Sequence, residues 1–87
     1  MLKVEKADSF MRDMDDIVVH VAQDNLGAAV DLEARIHSLA DPNFPRRRGR
    51  VRGTLELVAH PNYVVVLRQT DTTVIALAVM HVARQYP

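Results

Sequence analysis

The sequence predicts an α+β fold of order β-α-α-β-β-β, a helical hairpin packed on a small, mainly antiparallel sheet. Two stretches in the first half of the chain, 10–21 and 29–39, carry apolar residues at helical spacing. Past residue 54 the period shortens, and three runs rich in valine and threonine follow, separated by short turns. Runs that short and closely connected pair as an antiparallel meander.

Leu2 and Val4 alternate with Lys3 and Glu5, the pattern of a short half-buried strand. Asp8 or Ser9 then caps a first helix, with acidic residues gathered near its start. Phe10, Met14, Ile17, Val18 and Val21 fall at i, i+4, i+7, i+8 and i+11, one apolar stripe. Asp13, Asp15, Asp16 and His20 lie largely off that stripe, and the three aspartates read as a solvated face. Asp24-Asn25 and Gly27 interrupt the pattern before a second helix that turns Ala29, Leu32, Ile36 and Leu39 inward. The stretch 41–45, with Pro42 and Pro45, ends it, because each proline disfavours helix in the residue before it. Leu55 and Leu57, Tyr63 to Arg68, and Thr73 to Val82 supply the meander strands. His60-Pro61-Asn62 and Thr70-Asp71-Thr72 supply its turns.

A length of 87 residues fits one domain spanning 1–87, close to the size at which a single core gives little stability to spare. The chain has no cysteine, so neither disulfides nor thiolate ligands brace it. Its longest apolar run, Val74 to Met80, is seven residues, against about 20 for a membrane-spanning helix. The first ten residues hold no apolar segment of signal-peptide length. These features point to a soluble cytoplasmic protein with no membrane association.

The formal net charge is zero, but it is unevenly laid out. Residues 1–41 hold four basic and nine acidic residues, a net of −5, and residues 42–87 hold seven and two, a net of +5. Arg46, Arg47, Arg48, Arg50 and Arg52 all fall within Pro45–Gly53. That stretch reads as an exposed basic connection, with Gly49 and Gly53 turning the backbone, Val51 inward, and Arg50 and Arg52 outward. Overall neutrality favours an acidic protein segment over a phosphate backbone as what it meets. His20, His37, His60 and His81 show no i, i+3 or i+4 pairing, so no metal site is expected. No glycine-rich phosphate loop or Ser/His/Asp arrangement is present, and no cofactor is expected.

The second half also carries a longer motif. It reads Gly53-x-x-Glu56-Leu57-Val58, then His60-Pro61-Asn62-Tyr63, a valine run ending in Arg68, and finally His81-x-x-Arg84-x-Tyr86-Pro87. In this the chain resembles the toxins of the RelE/ParE superfamily of bacterial toxin–antitoxin pairs, and residues 6–22 resemble their first helix. The close on Tyr86-Pro87 looks nearer to the ParE branch.

The resemblance implies the toxin of a type II toxin–antitoxin module. Such a toxin inhibits growth by targeting DNA gyrase and is neutralised by direct binding of its cognate antitoxin. Operator DNA would be met only through the antitoxin. Antitoxin or target contacts would fall to Arg46, Arg47, Arg48, Arg50, Arg52, Arg68 and Arg84. The alternative is a RelE-like ribosome-dependent mRNA endoribonuclease. Its in-line attack needs a base, cations for the phosphorane and an acid for the leaving oxygen. Arg68, His81, Arg84 and Tyr86 are the candidates for those tasks, with Arg50 or Arg52 on substrate. Leu55, Leu67 and Ala83 stand where relatives commonly carry arginine, tyrosine and arginine, which adds an inactivated toxin variant as a further reading.

Overall fold

The computed structural model describes residues 1–81, which form two helices and five strands. β1 (Lys3–Lys6) leads into α1 (Asp8–Asp24) and α2 (Leu26–His37), and a 3-10 turn (Ser38–Ala40) follows. Beyond a loop come β2 (Arg47–Arg48), β3 (Leu55–His60), β4 (Tyr63–Gln69) and β5 (Thr73–His81). They form one sheet in the order β1-β5-β4-β3-β2. β2 to β5 make the antiparallel meander, and β1 lies parallel to β5 with Val4 opposite Val74. The α+β architecture is the one the sequence predicts, with one strand more. β2 forms inside the basic stretch, where the sequence predicts a plain connection.

A single residue, Asn25, joins the helices. It is the N-cap of α2, and its side-chain oxygen accepts the Ala28 N–H at 3.1 Å. α1 buries Phe10 and Val21, and α2 with its turn buries Ala29, Leu32, Ile36 and Leu39. These pack on the face of the sheet that carries Leu57, Tyr63, Val65, Leu67 and Val74.

Neither Asp8 nor Ser9 caps α1, whose N-cap is Ala7 with no side-chain hydrogen bond. Ser9 is engaged elsewhere, its hydroxyl donating to Leu77 O at 2.6 Å. The Ala7 N–H donates to Ala76 O at 2.9 Å, and Asp13 Oδ2 accepts the Val79 N–H at 3.0 Å. β1 pairs with β5 only as far as Ala76. Past that point the first turns of α1 supply the partners that a further strand would have given to the edge of β5. Asp13 is therefore half-buried and tied to the sheet, a correction to its place on a solvated face. Asp15, Asp16 and His20 are exposed.

The β2–β3 loop turns at Gly53, whose φ of +84° suits glycine. Gly49 is required for another reason: a Cβ there would collide with the Thr54 hydroxyl and backbone. Thr54 is buried, and its hydroxyl donates to Val51 O at 2.6 Å. Because Thr54 fills the inside of this turn, Val51 points out and is 55% exposed, which reverses the orientation expected from alternation. Gly49→Ala is expected to cost about 2 kcal/mol by overpacking. The reading is a lower urea midpoint at an unchanged m-value.

Candidate functional site

The basic stretch contains arginines the fold uses and arginines it presents. Arg46 belongs to the first group: its guanidinium donates to Asp41 O at 2.9 Å, to Phe44 O at 2.8 Å and to Leu39 O. Asp41 O also accepts the Phe44 N–H at 3.1 Å, and Arg46 gathers it with the Leu39 and Phe44 carbonyls of the proline-broken loop. Burial pushes its pKa below the ordinary arginine value, with Asp41 opposing, and the group stays charged. Its Nε is buried with no hydrogen-bond partner among the described residues. Of the arginines expected to meet a partner's carboxylates, Arg46 turns its head to the protein's own loop.

Arg47 Nε donates to Glu56 Oε1 at 3.0 Å, and the Arg50 backbone N–H reaches Glu56 Oε2 at 3.3 Å. Glu56 is 1% exposed and anchors the stretch to β3. The sequence marks Glu56 as a motif position and one of two acids in residues 42–87, but not as the anchor of the basic stretch. The side chains of Arg48, Arg52 and Arg68 are exposed and have no hydrogen-bond or ion-pair partner among the described residues.

At the opposite end of the sheet, His81 closes β5 across from Tyr63. The two rings meet edge to face, with centroids 5.1 Å apart and planes at 85°, and His60 lies 5.4 Å from Tyr63. α1 walls the adjoining cleft with Asp13, Asp16 and His20. Arg68 is remote from this cluster. It pairs with Ile75, five residues along β4 from Tyr63, about 17 Å at the usual strand rise. The odd separation also turns Arg68 to the face away from the helices, whereas Tyr63 lies in the core. Arg68 and His81 cannot reach one phosphate in this arrangement. Arg84 and Tyr86, the other two ribonuclease candidates, lie outside the described residues, as does Ala83.

The face that carries Arg68 also bears Glu56, Val58, Val64 and Val66 on β3 and β4. Leu67 is fully buried and Leu55 half-buried against the core, so both positions serve packing. Among the described residues no three histidine or acidic side chains converge as metal ligands. No helix among them is long and apolar enough to cross a membrane.

Comparison with known proteins adds to this geometry. Residues 4–86 match the family model described as ParE toxin of type II toxin-antitoxin system, parDE. No curated protein sequence matches the chain. Among solved structures, a chain of the chromosomal ParDE TA system from P. aeruginosa aligns at a TM-score of 0.76 and 18% identity, over 94% of this chain and 97% of that one. A chain of the E. coli DinJ-YafQ complex aligns at 0.65 and 15% identity over the whole of both chains. A conserved hypothetical protein from Helicobacter pylori aligns at 0.66 and 24% identity, over 99% of this chain and all of that one. At these identities the structural likeness is one of fold.

Proposed function

The chain belongs to the ParE toxin family, and we propose that it arrests growth by binding DNA gyrase and is neutralised by direct contact with a cognate antitoxin. At the coarser level it is a type II toxin–antitoxin toxin of the ParE/RelE superfamily. In this reading it acts as one domain, 1–87, in the cytoplasm, and meets operator DNA only through the antitoxin. The observation that carries the binding mechanism is the separation of Arg68 from His81, at opposite ends and on opposite faces of β4 and β5. Cleavage needs its acid, base and cations converged on one phosphate. A toxin that works by occupying a protein surface needs no such convergence.

Antitoxin carboxylates fall to Arg48, Arg52 and Arg68, whose heads remain in solvent, with Arg50 and Arg84 in the same expected set. Two of the solved relatives come from toxin–antitoxin assemblies, the ParDE TA system and the DinJ-YafQ complex, which supports a protein partner here.

A supercoiling assay with purified gyrase tests the proposal. The chain is expected to inhibit the enzyme, and His81→Ala is expected to inhibit equally well. In a ribonuclease the same substitution would slow cleavage of ribosome-bound message about 10²- to 10⁴-fold, the usual cost of losing a general acid or base. Cleavage with that sensitivity, alongside unaffected gyrase, overturns the proposal. Absence of growth arrest on expression without antitoxin would instead identify an inactivated variant.

A further inference from the structure

α1 carries apolar side chains beyond those that face the sheet. Met11 is 45% exposed and Val19 60% exposed, and Met14 and Val18 are half-buried between them. With Ile36 of α2 these four wall an open groove of about 500 Å³ between the helices. Apolar side chains gathered on a surface mark an interaction site. Methionine suits such a place, because its unbranched side chain adapts to the surface it meets.

The charges around the groove select the sign of its occupant. Asp15 of α1 and Glu33 of α2 line it from opposite walls. Lys6, at the end of β1, and His37, the last residue of α2, line it as well. The helical layer as a whole is acidic: residues 8–37 hold seven acidic and two basic residues, a net of −5. Six of those seven acids are exposed.

We infer that this groove takes a basic amphipathic helix of the toxin's target. The helix sets its apolar side chains on Met11, Val18 and Val19 and a lysine or arginine between Asp15 and Glu33. An amphipathic helix laid in an apolar groove is a common mode of recognition, with anchors at helical spacing. The inference rests on the gyrase reading above and gives that reading its contact face. An enzyme that holds DNA carries basic surfaces for the phosphates, so the target supplies the required sign. The acidic antitoxin segment of the same reading is a poor occupant, because its carboxylates would meet a layer already at −5. A second copy of this chain is a poor one too, since two acidic helical layers would face each other. Target and antitoxin thus meet different side chains.

Met11→Ala with Val19→Ala removes the apolar contacts and keeps the fold, since alanine is the strongest helix former. Asp15→Lys with Glu33→Lys reverses the sign with another good helix former. Val51→Ala, a comparably exposed valine in the β2–β3 loop, is the control. An unchanged melting point shows that each variant is folded. Calorimetry then measures binding to purified gyrase and to the antitoxin encoded beside this chain.

Each double variant is expected to bind gyrase about tenfold or more weakly, the scale of two lost apolar contacts or one lost charge pair. Val51→Ala is expected to bind gyrase normally, and Met11→Ala with Val19→Ala to keep its affinity for the antitoxin. Unchanged gyrase affinity in either folded double variant overturns the inference. Loss of antitoxin affinity in the alanine pair gives the groove to the antitoxin, and a dimer of the free chain that the pair abolishes gives it to a second copy. Either result overturns the inference. An unaltered chain that does not bind gyrase defeats the gyrase reading itself. The groove is then judged by NMR with a helical Leu/Lys peptide, which is expected to shift the Met11 and Met14 methyls while a Leu/Glu peptide does not. No shift, or an equal shift from both peptides, overturns the inference on its own.

Discussion

Arg46→Ala is expected to lower the stability of the chain by about 3 kcal/mol, whereas Arg48→Ala, two residues on, changes it by less than about 0.5. The two side chains are the same, and what differs is where the loop carbonyls lie. Arg46 donates to the carbonyls of Leu39, Asp41 and Phe44 together. Hydrogen bonds to a charged group are worth about 1.5–3 kcal/mol each. Three do not add in full, because water reaches part of this loop once the guanidinium is gone. Arg46→Lys restores little, since an ammonium is a compact point charge without the planar fork that spans several acceptors. Urea unfolding of the four proteins decides the matter. If Arg46→Ala melts with Arg48→Ala, the three carbonyls are adequately hydrated without the guanidinium and Arg46 does not hold the loop.

Much of this architecture is legible from periodicity alone. The stripes of α1 and α2 are the residues that face the sheet, because a helix has one buried face and its 3.6 period marks it. What stayed hidden depends on residues distant in sequence. Ser9 carries every local sign of an N-cap, yet it bonds Leu77, on the far side of the chain. The unpaired edge of β5 creates that demand, and no window around residue 9 contains it. Arg46 is hidden differently. It looks like its neighbours, and only its place just after two prolines hints that loop carbonyls lie within reach.

Arg68 and His81 show the opposite case, in which the information was present. A hairpin turning at Thr70–Thr72 sets Arg68 opposite Ile75 and sends His81 back toward Tyr63. Strand register alone thus separates two residues that a shared motif groups together. That β2 is short was legible in part, because Pro45 cannot donate to a longer ladder. That β2 would form at all was not, since two arginines carry no strand pattern.

Phe10→Ala is expected to cost about 4 kcal/mol, the usual range for deleting a buried aromatic being 3–5. Phe10 is 1% exposed and belongs to the same core cluster as Leu32 and Leu39, both fully buried. A small domain rarely has more than about 5–10 kcal/mol in total, so this variant should be substantially unfolded near 37 °C. A partner that binds only the native state adds RT ln(1 + [L]/Kd), about 4 kcal/mol at a thousand times Kd. The free variant is therefore expected to lose its cooperative melt and its ability to arrest growth, and to regain the melt in the antitoxin complex. None of Arg48, Arg52 or Arg68 is altered in it, so the loss would be one of folding. A Phe10→Ala chain that stays folded alone would show that the bonds of Ser9 and Asp13 to β5, rather than the apolar seam, hold α1 to the sheet.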